Sequence, residues 1–431
     1  MVRRLTIVYA WLLLVIFGGI LIYTPLSVWL GTMWPASVLW IKSWKELLML
    51  LTAALGVVLV TRQRLWAELF RDWIIRLIAF YVALHLVLAV VMPHTTATVL
   101  AGLAADLRYI LYFGLVYVLL KLAPEWRRPF LRIGAIGAVI VIGFAVAQTM
   151  LPKDLLTHIG YSKQTIVPYL TVDQNPDFIR YGSTLRGPNP LGAYTIIVLA
   201  VVAALMARGK VALGNRRTQI VLLLVTLGSL IALWVSYSRS AAIGAVVAVV
   251  LVAARSIYRR LRGVRRRWLL AGAVVLVVVL GATAAWKSSF ISNVVLHENP
   301  QGGSTVSSNE GHAESLRNGI ARLGVQPLGA GIGSTGSASL YGGNGVIIEN
   351  QYLFVAHEAG WLGLVVFVAL FIMIMMRLWR GRADWLSLAV FASGLGLAIV
   401  GLLLPVWADD TIGIVWWGLA GLALGGSRGK Q

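Results

Sequence analysis

The sequence predicts an all-α polytopic membrane protein with about twelve transmembrane helices, and two observations carry this prediction. Hydrophobic residues make up 59% of the 431 residues and charged residues only 12%, whereas soluble domains average about 45–50% and about 25%. Apolar runs long enough to cross a bilayer as a helix, about 20 residues, recur along the whole chain. Because a water-soluble fold could not cover so much apolar surface, we expect lipid to be the main solvent.

Twelve runs qualify as spans. They lie near 5–23, 46–61, 73–92, 97–120, 130–151, 189–207, 218–237, 240–256, 268–286, 351–376, 385–404 and 406–426. The first run is too long for a signal-peptide core and no small-residue cleavage motif follows it, so we expect a retained first helix. The whole chain is therefore predicted to be one membrane domain, 1–431.

Most of the 37 basic residues fall in the short connections on one side of these runs. The same side holds only Glu68, Asp72, Glu125 and Asp384 of the 16 acidic residues. Lys and Arg concentrate in cytoplasmic loops, so this side and both termini are predicted to be cytoplasmic. The net charge of +21 is therefore interpreted as membrane orientation and not as a nucleic-acid surface.

Two long connections, 152–188 and 287–350, then face outward, and the second contains an amphipathic helix over 307–323. The cytoplasmic connections leave no room for a nucleotide-binding module. With no cysteine in the chain, disulfides, Cys-ligated metals and a catalytic thiol are excluded. The histidines lack the spacing of metal ligands, so no metal or other cofactor is predicted.

Three arginines stand out because they lie outside, where basic residues are otherwise scarce. Arg180 and Arg186 precede the run that begins near residue 189, and Arg239 lies in the tight turn before residue 240. A helix N-terminus carries free N–H groups and the positive end of the helix dipole, so these positions favour an anion site. The alternatives are interfacial snorkelling for the first two and a structural ion pair for Arg239.

The remaining motifs are weaker. Gly331, Gly333 and Gly336 form G-x-G-x-x-G, but no βαβ unit surrounds them, so we interpret them as a tight structural loop. At the start of the tenth run, helical spacing puts Glu349 and Glu358 on opposite faces, with His357 between them. We expect His357 either to act or to hydrogen-bond between helices, and Glu358 either to act or to pair with an arginine. Asp106 and Arg108 lie within the fourth run and each needs a partner on another helix; for Arg108 a lipid phosphate is an equal alternative.

In order along the chain, an outer arginine precedes N-P-L-G (189–192), S-R-S follows at 238–240, and P-L-G-A-G-I-G comes at 327–333. E-N-Q-Y-L opens at 349, and E-A-G-W-L-G-L ends at 364. Over nearly the whole chain this order resembles the O-antigen ligase superfamily, which includes Wzy-type polysaccharide polymerases. The resemblance implies a GT-C-like membrane glycosyltransferase in the bacterial inner membrane. Such an enzyme moves a glycan from undecaprenyl diphosphate to an acceptor sugar hydroxyl on the periplasmic side, without nucleotide.

The resemblance also implies roles for individual residues. Arg186, Arg180 and Arg239 would bind the diphosphate. The family pattern H-[NSQ]-x9-G-x2-G is matched at Asn350, Gly360 and Gly363, whereas the histidine position is Glu349. A carboxylate can also take a proton from a hydroxyl, so Glu349 is the predicted catalytic base. This departure leaves a ligase and a polymerase as alternatives. The supporting candidates are Asn350, His357, Glu358, Arg108, His312 and Arg317.

A transporter or flippase for lipid-linked glycans is the alternative from another class. It too would use about twelve helices and membrane arginines. If the chain were a transporter, we would expect polar residues along several helices, where they would form a path for the substrate. In this chain the polar residues gather at the outer ends of the runs, which favours the enzyme.

Overall fold

The computed structural model describes residues 1–92, 94–172, 175–208, 216–260, 308–343 and 345–426. The helices of the N-terminal half are α1 (Val2–Gly19), α2 (Tyr23–Met33), α3 (Val38–Arg62), α4 (Trp66–Arg71), α5 (Trp73–Val91), α6 (Thr96–Leu122) and α7 (Arg127–Gln148). Those that follow are α8 (Pro188–Ala207), α9 (Arg216–Ser236), α10 (Arg239–Arg260), α11 (Ser308–Val325), α12 (Gly336–Ser339), α13 (Gln351–Arg380), α14 (Trp385–Val400) and α15 (Asp410–Gly425).

Within the described residues, nine helices are long and apolar enough to cross a membrane, and α14 and α15 are shorter apolar helices. The chain is thus a mostly helical, multi-pass membrane protein. Eleven of the twelve predicted runs correspond to these helices. The ninth run, 268–286, lies outside the described residues, as does much of the predicted 287–350 loop.

Two features of the connections were not predicted. The segment after α1 forms a further helix, α2, of only 11 residues, too short to span a bilayer. The 152–188 connection contains an antiparallel pair of strands, β1 (Leu170–Val172) and β2 (Asn175–Arg180), with a register shift between Thr171 and Val172. The protein is therefore not strictly all-α, although this sheet is confined to one loop.

The basic connections that the structure describes meet at one end of the bundle, here called the basic end, where ion pairs join the helices. Asp72 caps α5 by accepting from the Ile74 N–H at 2.9 Å. The same carboxylate accepts two hydrogen bonds of 2.6 Å from the Arg377 guanidinium on α13 and one of 2.7 Å from the Tyr117 hydroxyl on α6. Burial by itself would raise the pKa of Asp72, but these hydrogen bonds outweigh it and hold the pKa below the usual value.

Aromatic rings fill the centre of the bundle. Trp407, Trp416 and Trp417 are all fully buried, and Trp417 packs against Tyr109 and Phe113 of α6. A second contact joins α10 to α14 where Gly244 faces Gly396 backbone to backbone. These contacts hold α6 against α15 and α10 against α14. The end of the bundle away from the basic connections is here called the opposite end.

Helix α13 is broken at Gly360, whose φ of 67° and ψ of −169° are not helical. The 327–336 segment, here called the glycine loop, fills the break. Its Ala330 N–H donates to the His357 carbonyl at 2.6 Å and its Gly331 N–H to the Glu358 carbonyl at 3.2 Å, while the Trp361 N–H donates to the Pro327 carbonyl at 3.0 Å. Irregular backbone within a membrane is tolerated where protein groups satisfy it in this way.

The glycine loop lies between α6 and α13. Ile332 is fully buried against Leu88 and Ala359, and a side chain at Gly333 would collide with the Thr98 carbonyl, 2.3 Å from the added carbon. Gly333 also has a positive φ of 81°, which favours glycine. These contacts agree with the structural role predicted for the G-x-G-x-x-G motif.

Candidate functional site

Arg180 ends β2 and joins three elements at the opposite end. Its Nε donates to the Ser236 carbonyl at the end of α9, at 2.9 Å, and its guanidinium also donates to the Asn189 side-chain oxygen on α8, at 2.6 Å. The next residue, Tyr181, donates its N–H to the Val235 carbonyl at 3.1 Å. Arg180 is thus held in place by protein contacts and is not a freely solvated arginine.

Arg180 and Arg186 line one open cleft beside the start of α8. The lining also includes Tyr161, Tyr169 and Ser183. Tyr161 is buried whereas Arg186 is exposed at the cleft. Two guanidinium groups with aromatic rings are suited to a phosphorylated ligand that also carries an apolar or ring-shaped part.

The start of α8 offers fewer backbone donors than the sequence suggested. The helix begins at Pro188, and Pro190 also lies in its first turn. Proline has no N–H, so of the first three helical residues only Asn189 can donate from the backbone. An anion at this helix start would therefore find few backbone N–H donors, and most of its attraction would have to come from the arginine side chains.

Arg186 also acts across the bundle on Asp409, which caps α15 by accepting from the Thr411 and Ile412 N–H groups at 3.0 Å each. Desolvation raises the pKa of Asp409, although the two backbone hydrogen bonds and the charge of Arg186 oppose the shift. Arg186 is therefore near both the cleft and the connection between α14 and α15.

Arg239 is the first residue of α10 and follows the turn that carries Ser236. Three buried serines, Ser236, Ser238 and Ser240, surround this turn, and the Ser238 N–H donates to the Ser236 hydroxyl at 3.2 Å. Because Arg180 binds the carbonyl of Ser236, the structure brings Arg180 and the Arg239 turn to the same place. Their proximity was not evident from positions 59 residues apart in the chain.

Asn350 is the N-cap of α13. Its side-chain oxygen accepts from the Tyr352 and Leu353 N–H groups at 2.9 and 3.0 Å, and its amide donates to the Leu402 carbonyl at 2.8 Å. Glu349 precedes this cap, is half-buried, and donates its backbone N–H to the Ser315 hydroxyl on α11 at 3.0 Å. Glu349 therefore lies outside the helix, so the prediction that it shares a helical wheel with Glu358 was wrong.

Gln351 is a site-positioning residue that the sequence did not indicate. Its N–H donates to the Gly401 carbonyl and its side-chain oxygen accepts from the Trp407 N–H, both at 2.8 Å. These bonds attach the start of α13 to the α14–α15 connection, which also carries Asp409. The residues next to Glu349 thus contact the same connection that Arg186 approaches at Asp409. A buried glutamine at a helix start could have signalled such an anchor.

Arg108 is deep in the bundle and is paired. Its Nε lies 3.0 Å from a Glu46 carboxylate oxygen on α3, and a second guanidinium nitrogen binds Asp410 on α15. Lys45 is 3.0 Å from Asp410 and 3.4 Å from Glu46. Two cations and two anions balance this network, which favours the structural interpretation of Arg108 over lipid-phosphate contact.

Glu358 is fully buried and does not pair with an arginine in the described part of the chain, contrary to that expectation. Its carboxylate accepts from the Gly333 N–H at 2.8 Å and from the Thr335 N–H at 3.2 Å, and it contacts the Asp106 carboxyl. Asp106 faces His85 on α5 at 3.7 Å. The predicted need of Asp106 and Arg108 for partners on other helices is therefore confirmed.

The other supporting candidates are less informative. His357 is buried, and its Nδ1 has no hydrogen-bond partner among the described residues, so the expected interhelical hydrogen bond from that atom is not seen. Arg317 is exposed on α11, a helix that extends to Val325 and therefore past the predicted end at residue 323. His312 belongs to the same helix, but its side chain lies outside the described residues.

The described residues contain no group of three His, Cys, Asp or Glu side chains that could hold a metal ion. Comparison with protein-family models gave no match for this chain, and comparison with curated proteins gave none either.

Proposed function

We propose that this chain is a membrane glycosyltransferase of the O-antigen ligase type, which transfers a glycan from undecaprenyl diphosphate to an acceptor sugar hydroxyl. The observation that carries the proposal is the cleft in which Arg180 and Arg186 lie beside Tyr161 and Tyr169. Its position at the end of apolar helices suits a ligand with a lipid tail and an anionic head.

The donor would lie with its polyprenyl chain along the helices and its diphosphate at this cleft. Arg186 and Arg239 would neutralise the diphosphate, while Arg180, already fixed by Ser236 and Asn189, would orient it. As the anomeric C–O bond breaks, negative charge grows on the leaving diphosphate, and preorganised cations there lower the barrier. Guanidinium is suited to this because it stays charged and binds two oxygens at once.

Glu349 would act on the acceptor. Its carboxylate takes the proton of the attacking hydroxyl while that oxygen forms the new bond to the anomeric carbon, and the proton then passes to water. The backbone of Glu349 is held by Ser315 and by the cap at Asn350. Such fixation is needed because a base must lie within hydrogen-bond distance of its proton.

The orientation follows from the positive-inside rule. The basic end would face the cytoplasm of a bacterial inner membrane, and the cleft and Glu349 would face the periplasm. Ligase and polymerase share this chemistry and differ only in the acceptor, a glycolipid core in the first case and a second lipid-linked repeat unit in the other.

A lipid-linked glycan transporter is the second candidate, and one observation favours it. The break of α13 at Gly360 resembles the discontinuous helices that transporters use at their binding sites. In transporters such sites lie near the bilayer midplane, whereas the arginine cleft lies at helix ends. This difference leads us to prefer the enzyme.

Reconstitution tests the two candidates together. Protein in liposomes is given radiolabelled undecaprenyl-diphosphate glycan and an unlabelled acceptor glycolipid. We expect free undecaprenyl diphosphate and labelled acceptor, both lost in Arg186→Ala and retained in Lys163→Ala, an exposed cation of the same loop that does not line the cleft. Movement of intact donor across the bilayer would instead identify a transporter.

A further inference from the structure

The glycine loop is connected to Glu349 by a short series of hydrogen bonds. The Thr335 hydroxyl donates to the Val346 carbonyl at 2.9 Å, and the Gly336 N–H donates to the same oxygen at 2.8 Å. The Val346 N–H donates to the Ser339 hydroxyl at 3.1 Å. Val346 is three residues before Glu349, so the loop fixes the backbone that enters the candidate base.

The other side of the loop is held by Glu358. This buried carboxylate accepts from the N–H groups of Gly333 and Thr335, on either side of Ser334. Thr335 thus binds Glu358 through its N–H and Val346 through its hydroxyl. A carboxylate that accepts backbone N–H groups makes stronger hydrogen bonds than a neutral acceptor.

Asp106 lies beside the Glu358 carboxyl group that binds the glycine loop. Two neighbouring carboxyl groups in a buried site cannot both be ionised, so one of the two must hold a proton. Both oxygens of Glu358 accept N–H hydrogen bonds, whereas Oδ2 of Asp106 is buried without a hydrogen-bond partner among the described residues. This difference favours the ionised form on Glu358 and the shared proton on Asp106, whose O–H would then donate to Glu358.

Side chains of α5 and α6 face the Asp106–Glu358 pair. From α5 they are His85 and Tyr81, and from α6 they are Tyr109 and, at longer range, Arg108. The Nδ1 of His85 lies 2.8 Å from the Tyr81 carbonyl, which places its proton there and leaves Nε2 towards Asp106. Tyr81 and Tyr109 carry no charge at pH 7, so one proton shared by the two carboxyl groups leaves a single negative charge on the pair.

We infer that Glu358 is a positioning residue for Glu349, which it holds through the glycine loop as an ionised acceptor, and that Asp106 assists it as a protonated donor. The kinetic part of this inference rests on the proposed function; the structural part does not. An amide can replace a carboxylic acid as a donor, but it cannot replace a carboxylate that accepts at both oxygens. Asp106→Asn should therefore preserve the arrangement, and Glu358→Gln should disrupt it.

The reaction rate of a thiol introduced at position 334 measures how often the glycine loop opens. The Ser334 hydroxyl is buried and has no hydrogen-bond partner among the described residues, so Ser334→Cys removes no side-chain hydrogen bond there. The chain contains no native cysteine. A maleimide reagent should modify this thiol slowly in the otherwise unchanged protein and in Asp106→Asn. Modification should be about 10-fold faster or more in Glu358→Gln, because a released loop opens locally. Ser337→Cys, at an exposed position nearby, should react equally in all backgrounds and corrects for amount and reagent access.

Turnover provides the second readout. Glu358→Gln should lower kcat by about 10-fold or more with little change in the donor KM, since the arginines are untouched. Asp106→Asn should keep at least about half of the activity, and Glu358→Asp should recover part of what Glu358→Gln loses, because it restores the charge.

Three results would overturn the inference. The first is that the thiol of Ser334→Cys still reacts slowly when Glu358→Gln is also present. The second is that this thiol reacts fast with Asp106→Asn and slowly with Glu358→Gln, which would place the proton on Glu358. The third is a released loop with unchanged kcat, which would mean that the loop does not position Glu349. Absence of glycan transfer by the unsubstituted protein would instead refute the proposed function, while the thiol measurement would still decide the role of Glu358 in holding the loop.

Discussion

The N–H of Trp361 donates to the carbonyl oxygen of Pro327 at 3.0 Å, across the point where Gly360 interrupts a transmembrane helix. This hydrogen bond replaces one that the helix loses at its break. The glycine loop and the broken helix therefore depend on each other for backbone hydrogen bonds, and neither is expected to keep its conformation alone.

Gly360→Ala should disrupt this pair. The added carbon would lie 2.5 Å from the Pro327 oxygen, and the φ of 67° with ψ of −169° is a conformation that essentially only glycine adopts. We expect a lower yield of folded protein and a lower melting temperature in detergent. Gly324→Ala, on α11 with no atom within 4 Å of the added carbon, is the matched control and should behave like the unsubstituted protein. Equal melting temperatures for the two variants would show that the break tolerates a side chain.

The orientation can be tested with single cysteines because the chain has none. Gln164→Cys and Ser337→Cys, both exposed at the opposite end, should react with an impermeant thiol reagent in cells with a permeabilised outer membrane. Gln63→Cys, exposed at the basic end, should react only after lysis. Reaction of Gln63→Cys before lysis would place the arginine cleft in the cytoplasm and contradict the proposed function.

If Arg239 and Arg186 bind the diphosphate, their substitution should lower glycan transfer to different degrees. Arg239→Ala should abolish transfer while the protein remains in the membrane, and Arg239→Lys should recover only part, since lysine cannot bind two oxygens in a planar fork. Arg186→Ala should lower kcat/KM by about 100-fold, a typical cost for removing one preorganised charge partner of a transition state. Lys163→Ala is the control in each assay. Unchanged transfer in Arg239→Ala would mean that this arginine has a purely structural role.

Glu349→Gln should lower turnover by about 100-fold or more, as expected for a positioned base, with donor binding retained. Glu349→His should keep measurable activity if the position is equivalent to the family histidine. Glu314→Gln, an exposed acid on α11, is the control. The assignment fails if Glu349→Gln is fully active and His357→Ala is inactive, because the base would then lie in α13.

The ion pair between Asp72 and Arg377 at the basic end should stabilise the folded protein. Asp72→Ala removes a helix cap and a partly buried ion pair, which should cost about 2–3 kcal/mol of unfolding free energy. Glu68→Ala should cost at most about 0.5 kcal/mol, since the Glu68–Lys121 pair is largely exposed. Melting temperatures in detergent measure both.

Because the pKa of Asp72 is lowered in the folded protein, its contribution to stability should decrease at acidic pH. A carboxyl with a depressed pKa in the folded state stabilises the protein above its ordinary pKa, and this stabilisation disappears as the pH falls through the folded value. The difference in melting temperature between the unsubstituted protein and Asp72→Ala should therefore narrow on acidification below about pH 4. A constant difference down to pH 3 would mean that the cap and the ion pair contribute little through ionisation.

The sequence alone determined that the chain is a mostly helical, multi-pass membrane protein, the positions of eleven apolar helices that the structure describes, and the division into a basic and an opposite end. Hydropathy and charge are properties of local segments, and the bilayer acts on each segment separately. The same reasoning showed that Asp106 and Arg108 require partners on other helices, since a charge in apolar surroundings is costly wherever its counter-charge lies.

The tertiary structure decided which residues meet. That Glu358 binds the backbone of residues 333–335, and not an arginine, depends on a helix break that only the packing of the glycine loop reveals. Arg180 meets the end of α9 through a fold of the 152–188 connection that no periodicity predicts. Such contacts join positions distant in sequence, and their geometry follows from how whole helices and loops pack, which local patterns do not encode.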